Sequence, residues 1–306
     1  MTTRREFLQS SAFALLGAAC ASAPGANAGR ERLPLGFSTL GCPTWRLRDI
    51  LAFADRHGFA AIELRGLEGH VDITRHPDLA AERLPALRQQ LADRGLSVVC
   101  LGASARMHDL DAAQLDEASR YIDLALALGT PYVRVFGDRY VAGESREATR
   151  ERIAANLVRL AQRADSQGVT VLIESHGDFT DSPSLLEILR RADSPAVALL
   201  WDAHHTFVAS HEEPEDTVRQ LGRWILHTHL KDSVAAGTGR RYVLTGTGNV
   251  PVQRQVEALA RMGYRRFYSF EWEKRWHPEI EEPEIAIRQY ADVAGQYVRQ
   301  SSSKPR

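Results

Sequence analysis

The chain has 306 residues, 44% hydrophobic and 25% charged, with 38 basic against 39 acidic side chains and a net charge of −1. That composition is ordinary for a folded enzyme and excludes wholesale disorder and fibrous repeats. The balance gives no electrostatic case for binding nucleic acid or a membrane surface, and no run approaches the roughly 20 apolar residues of a spanning helix.

The N-terminus reads Thr3-Arg4-Arg5-Glu6-Phe7-Leu8. An Ala- and Leu-rich run over 11–23 follows, and small residues around Pro24-Gly25 lead to Ala26-Asn27-Ala28. A charged start, a short apolar middle and an Ala-x-Ala end predict a signal peptide over 1–28. The paired arginines before Phe-Leu resemble the twin-arginine (Tat) export signal. That resemblance implies the Tat machinery as a partner and a periplasmic or secreted location for the remainder, 29–306. Cleavage fits after Ala23 or Ala28, and Cys20 offers a weaker lipoprotein anchor because Gly17 stands where a branched apolar residue is preferred. Cutting after Ala28 removes two arginines and one glutamate, leaving 36 basic and 38 acidic residues. Of the cysteines, Cys42 and Cys100 remain, enough for one disulfide but not for a scaffold.

Downstream, one pattern recurs: an apolar helical stripe, a glycine, then an apolar run. Leu47, Ile50, Leu51 and Ala54 lead to Gly58; Leu84, Leu87 and Leu91 to Gly95; Ile122 and Leu126 to Gly129. Ile153, Leu157, Leu160 and Ala164 lead to Gly168, and Val252, Val256 and Leu259 to Gly263, while Gly222 precedes another apolar run. Glycine accepts the left-handed conformation that ends a helix, so the chain turns directly into a strand. The runs are continuous rather than alternating, which predicts strands buried on both faces of a parallel sheet. Eight are expected, at 33–40, 59–65, 96–103, 131–137, 169–175, 196–202, 224–230 and 266–272. Eight strand–helix units in about 270 residues fit an α/β fold of the (β/α)8 barrel type, as one domain over 29–306. An open doubly wound sheet is the alternative, weakened because no G-x-G-x-x-G follows the first strand.

In such a barrel the C-terminal strand ends carry the active site. The fifth predicted strand ends at Glu174, the sixth at Asp202, the seventh with His227 and His229, and the eighth with Glu271 and Glu273. Each is an ionisable group set directly after a buried apolar run, where a charge needs a partner or a metal. Three carboxylates and one imidazole form a hard, oxygen-rich set. It favours Mn²⁺, then Mg²⁺ or Co²⁺, with Zn²⁺ retained as an alternative. Asp202 also stands where it can cap the next helix. The spacing leaves the choice open between His227 and His229, and between Glu271 and Glu273.

Glu174, Asp202-Ala203-His204-His205, His227 to Asp232, Gly246 to Pro251 and Phe270 to Glu273 together resemble the xylose-isomerase-like barrel superfamily, and within it the sugar (phosphate) isomerase/epimerase branch. The resemblance runs from Gly36 to the last helix. It implies Glu174, Asp202, His229 and Glu271 as metal ligands, Glu174 and Glu271 as a catalytic pair, and His205 as a substrate contact. The arginine that related epimerases carry six residues after the metal histidine is replaced by Ala235, which leaves the substrate open.

His176, two residues after Glu174, is a candidate for a substrate hydroxyl, and Lys231 for stabilising developing negative charge or for pairing with Asp232. Arg65 and Arg134 are candidate pocket residues, and Trp45, Trp272 and Trp276 stand near the expected active face. The implied activity is a metal-dependent isomerase or epimerase of a sugar, acting by proton abstraction next to a carbonyl through a metal-stabilised enediolate. A lyase or hydrolase of keto-glycosides is the alternative on the same site. A phosphodiesterase of the AP-endonuclease kind would need an Asp-x-His after strand seven, and 233–243 hold no histidine. A non-enzymatic sugar-binding protein and a homo-oligomeric state are compatible with the sequence.

Overall fold

The computed structural model describes residues 32–164 and 168–303, so the expected leader at 1–28 lies outside the described residues. Eight parallel strands stand where the apolar runs predict them: β1 Leu35–Ser38, β2 Ala61–Leu64, β3 Ser97–Arg106, β4 Tyr132–Phe136, β5 Thr170–Glu174, β6 Val197–Asp202, β7 Ile225–His229 and, after an inserted hairpin, β10 Tyr268–Phe270. They form one sheet in the order β10-β1-β2-β3-β4-β5-β6-β7. Just past β7 the ring is drawn shut: Leu230 N–H donates to Ser269 O at 2.8 Å, and Glu271 N–H donates to Leu230 O at 3.2 Å. The (β/α)8 expectation is borne out, with the seam between β7 and β10 its least paired edge.

The helices α1 Leu47–Arg56, α2 Leu84–Arg94, α3 Ala112–Leu128, α4 Arg146–Ala164, α5 Ser182–Ala192, α6 Ala203–Ser210, α7 Pro214–Leu221, α8 Val252–Arg261 and α9 Pro283–Ser303 connect the strands. Gly129 shows how a stripe is converted into a strand. At φ +79° it ends α3, its N–H and that of Thr130 both reach Ala125 O at 2.8 Å, and β4 begins three residues later, at Tyr132.

Side-chain alternation divides the interior. Val171 and Ile173 of β5 and Leu199 and Trp201 of β6 join the main core with the helices. Leu172, Ala198 and Leu200 belong to a smaller cluster with Ala61, Cys100 and Tyr132. They share the parity of Glu174 and Asp202 and so face the barrel axis, forming an apolar floor beneath the polar strand ends. Cys42 and Cys100 are both buried and free, so no disulfide joins them.

An antiparallel hairpin not expected from the sequence, β8 Asp232–Ala236 and β9 Gly239–Val243, is set between β7 and α8. Asp232 fixes its base. Its carboxylate accepts N–H groups from Ser233 (2.8 Å), Gly246 (2.9 Å), Gly248 (2.9 Å) and Val250 (3.1 Å). The Gly-Thr-Gly-Asn segment thus wraps an anion supplied by its own chain. A Cβ at Gly248 would lie 2.2 Å from Asp232 Oδ1, so glycine is required there.

Candidate metal centre

β5, β6, β7 and the residue after β10 bring Glu174, Asp202, His229 and Glu271 to one point on the axis, with ligand atoms all within 4.8 Å of one another. All four are buried. His229 Nδ1 faces Glu174 Oε1 at 3.2 Å, Glu271 Oε1 at 3.3 Å and Asp202 Oδ2 at 3.9 Å. Asp202 also caps α6, its Oδ1 accepting the N–H groups of His204 and His205 at 3.0 Å each. The capping role considered for it from sequence is therefore seen, and its other oxygen, Oδ2, is left on the side of the cluster.

Glu63, in β2, is the residue the sequence reading missed. It is fully buried, and its Oε2 lies 2.9 Å from His229 Nε2 and 3.0 Å from His227 Nε2. Its Oε1 accepts from Ser38 Oγ at 3.1 Å. A carboxylate at Nε2 holds the ring proton there and aims Nδ1 at the cluster; burial opposes a charge on the ring, but Glu271, Glu63 and Glu174 outweigh that and raise the imidazole well above its ordinary range. His227 instead shares Glu63 one level down and stands outside the group of four. The signal available in sequence was a lone glutamate inside the apolar run of strand two, on the parity of Arg65.

Two cations balance the carboxylates. Arg134 Nε lies 3.0 Å from Glu174 Oε2 while its Nη1 donates to Ala103 O at 2.9 Å. Lys231, fully buried, donates to Asp202 Oδ2 at 2.6 Å, to Glu273 Oε1 at 2.9 Å and to Glu271 Oε2. Its partner is therefore not Asp232, whose carboxylate is committed to backbone.

Burial alone would push the Glu174 carboxyl up, but Arg134 and His229 outweigh it and hold the group down at about 2. Burial likewise opposes ionisation of Glu271, and His229 and Lys231 overcome it. Glu273 is shifted upward by burial, with Lys231 opposing and Glu271 adding to the rise. His205, half-buried near Lys231, is held well below the usual imidazole range by desolvation and then by the lysine's charge.

Of the other expected residues, His205 Nε2 lies 3.4 Å from Asp202 Oδ2, and His176 packs edge-on against it with ring centroids 5.0 Å apart. His176 Nδ1 is buried with no hydrogen-bond partner among the described residues. Trp272 is fully buried and stacks on Phe270, whereas Trp276 is 51% exposed. Tyr242 of the unforeseen hairpin stacks near His204 and His277, with Lys231 Nζ 6.0 Å from its ring.

The residues suit a divalent ion. Glu174 Oε1, Glu271 Oε1 and Asp202 Oδ2 converge on His229 Nδ1, at 3.2, 3.3 and 3.9 Å, and Glu174 Oε2, turned toward Arg134, is buried without a hydrogen bond among the described residues. Three carboxylates and one imidazole match a hard cation or zinc.

A closed ring of eight parallel strands with carboxylates and a histidine converging at its mouth defines the class as a parallel (β/α)8 barrel with a candidate metal site. Residues 51–292 match the family described as Xylose isomerase-like TIM barrel, and the chain belongs to that family. No curated protein matches it. Among solved structures it is similar to L-ribulose 3-epimerase (19% identity, TM-score 0.71, covering 89% of this chain and 99% of that one). It is also similar to the IolI protein with a bound zinc atom (19%, 0.72, 89% and 100%). A third is the probable 3-DHS dehydratase AsbF of Bacillus anthracis (20%, 0.70, 86% and 99%). At these identities the likeness is one of fold.

Proposed function

We propose that this chain is a divalent-metal-dependent isomerase or epimerase of a sugar or polyol. The observation that carries the reading is the meeting of Glu174, Asp202, His229 and Glu271 within 4.8 Å at the catalytic mouth of the barrel. The zinc bound by the similar IolI structure and the epimerase among the similar folds support it. Glu174, Asp202, His229 and Glu271 would hold the ion, with Mn²⁺ preferred. When bound, the ion draws charge from a substrate carbonyl and acidifies the neighbouring C–H.

The side chains supply the rest. Glu174 and Glu271 are held ionised by Arg134, His229 and Lys231, so each is ready to accept a proton. One removes that proton from one face of the carbon; the other, having first taken up a proton from solvent, delivers this second proton on the opposite face, which inverts the centre, and the first then releases its proton to solvent. Lys231 orients Asp202 and Glu271, and its charge favours negative charge building nearby. Neutral His205 and the free Nδ1 of His176 offer hydrogen bonds to substrate hydroxyls. Residues 29–306 act as one barrel unit behind a Tat leader, and Arg4 and Arg5 replaced by lysine should strand the precursor in the cytoplasm.

The test is proton exchange. Purified, Mn²⁺-loaded protein incubated with free ketoses, aldoses and keto-glycosides in D₂O should place deuterium next to a carbonyl. Product analysis then separates epimerisation from elimination, and no exchange on any of them defeats the proposal.

A further inference from the structure

The end of the barrel opposite the metal centre is built differently from the mouth. Helices pass into strands there through connections of two to six residues, which keeps that end flat. Arg88 and Arg190, near the ends of α2 and α5, and Arg223, Arg265 and Arg266, on the turns into β7 and β10, are all exposed. Among the described residues none of the five forms an ion pair. Three shallow grooves link them. Arg190 and Arg223 share one with Asp193. Arg265 and Arg266 share a second with Met262 and with Ile225, two residues past Arg223. Arg88 shares the third with Phe267, next to Arg266. Asp193 is the one acid among the described residues that line these grooves.

Helix dipoles do not account for the array. Each helix presents its negative pole at this end, and Arg56, Arg94, Arg163 and Arg261 answer it from the last turns of α1, α2, α4 and α8. Arg265 and Arg266 lie four and five residues beyond α8, where that field has faded. The apolar side chains between the arginines suit a boundary of water and lipid. The guanidinium of Arg223 lies 3.7 Å from the Trp224 ring centroid, and Met262 is 38% exposed. Residues 1–31 join the barrel at this same end, at Arg32 just before β1, and they include the Ala- and Leu-rich run over 11–23. A net charge of −1 conceals this polarity, because Glu174, Asp202, Glu271 and Glu273 stand at the other end.

We propose that the strand-entry end of the barrel is a docking face for an anionic phospholipid bilayer. The unpaired arginines would meet headgroup phosphates, Trp224 and Met262 would enter the headgroup layer, and the mouth would face away from the membrane. A flat array suits a plane of phosphates. Its short connections supply no helix or ribbon able to enter a nucleic-acid groove.

The experiment is co-sedimentation of the full chain with vesicles of phosphatidylcholine alone and with vesicles holding about one-third phosphatidylglycerol. The anionic vesicles should bind about tenfold tighter, and raising NaCl from about 0.05 M to about 0.5 M should remove that preference. Arg223→Glu combined with Arg265→Glu should lose the preference, while Arg241→Glu, exposed on the hairpin at the mouth, should keep it. Residues 1–31 are common to all these proteins, so differences among them belong to the face. Where circular dichroism shows the double reversal unfolded, Arg223→Gln combined with Arg265→Gln reads the same loss. Equal binding to both vesicles, a preference that survives the changes at Arg223 and Arg265, or one lost equally in Arg241→Glu overturns the proposal. So does a mixed-sequence DNA duplex that binds as tightly as the anionic vesicles.

Discussion

The two halves of the barrel mouth use ionisable residues in opposite ways. On the β5–β10 side, single acids and one histidine stand at the last residue of each strand or just past it, and every one converges on a shared point. On the β2–β4 side, Glu63 and Arg134 lie inside their strands and brace groups that belong to the other side, while Arg65 has no such partner. The difference separates the proposed ligands from their supports. A ligand needs an unobstructed lone pair at the mouth, and strand termini provide it. A support needs to reach a ligand from behind, which a mid-strand residue facing the axis does.

The contrast is broken most decisively by exchanging the two histidines of β7. His229→Ala should abolish stoichiometric metal binding, because it removes the imidazole facing all three carboxylates. His227→Ala should retain the metal, since among the described residues the ring of His227 hydrogen-bonds Glu63 and none of the four converging residues. Elemental analysis of the two purified variants checks this, and metal lost only from the His227 variant would reverse the assignment. In the same half, Glu174→Gln and Glu271→Gln should each lower turnover by about 10²–10⁴-fold once a substrate is found.

The supports should matter less, but measurably. Glu63→Leu removes the acceptor that fixes the His229 tautomer and leaves two buried imidazoles without their partner. Metal affinity should fall by about 10–100-fold, the range for losing such a bracing carboxylate. Glu63→Gln can still accept one N–H and should fall between the two. Competition of a fluorescent chelator for Mn²⁺ measures all three. An affinity unchanged in Glu63→Leu would mean that Nδ1 orientation is set by packing alone.

The same division decides what was legible in the sequence. The barrel was legible because each strand is a continuous apolar run entered through a glycine-ended helix. The four convergent residues were legible because a charge closing such a run has nowhere else to go. The choice of His229 over His227 came from the family resemblance and not from the spacing, since both have the parity of the axis and Glu63, 164 and 166 residues away, separates their surroundings. Nor was the pairing of Lys231, whose three carboxylates lie 29, 40 and 42 residues along the chain while the adjacent Asp232 is taken by backbone. The hairpin β8–β9 escaped because its Ala-Ala-Gly-Thr-Gly centre has neither a buried run nor an alternating one.

Gly102 offers a milder test of the β2–β4 side. Gly102→Ala forces a methyl group between Arg65 and Arg134, also 3.3 Å from Arg65 Cβ, which cannot swing aside as the guanidinium can. Overpacking of this kind costs about 1–3 kcal/mol. Denaturant unfolding should show that loss, while metal content stays that of the unaltered protein.

The smallest effect expected concerns acid sensitivity at the edge of the carboxylate half. His204 follows Asp202, is 3% exposed, and its Nε2 meets Ser233 Oγ at 2.8 Å, tying α6 to the hairpin. Burial, and then the charge of Lys231, lower its imidazole to about 3 from an ordinary value of 6.5. In the unfolded chain the same group takes up a proton near 6.5, so below that pH the unfolded state binds more protons than the folded one. Stability therefore falls as pH drops from 6.5 toward 3, and is unaffected by this group above 6.5. His204→Gln removes the titration while leaving a side chain able to hydrogen-bond Ser233. The variant should be somewhat less stable than the unaltered protein at pH 7.5, and the gap should narrow by pH 4.5. Urea midpoints of both proteins at the two pH values measure it. A gap that stays constant would mean that His204 keeps the same protonation in both states and contributes only through its contact with the hairpin.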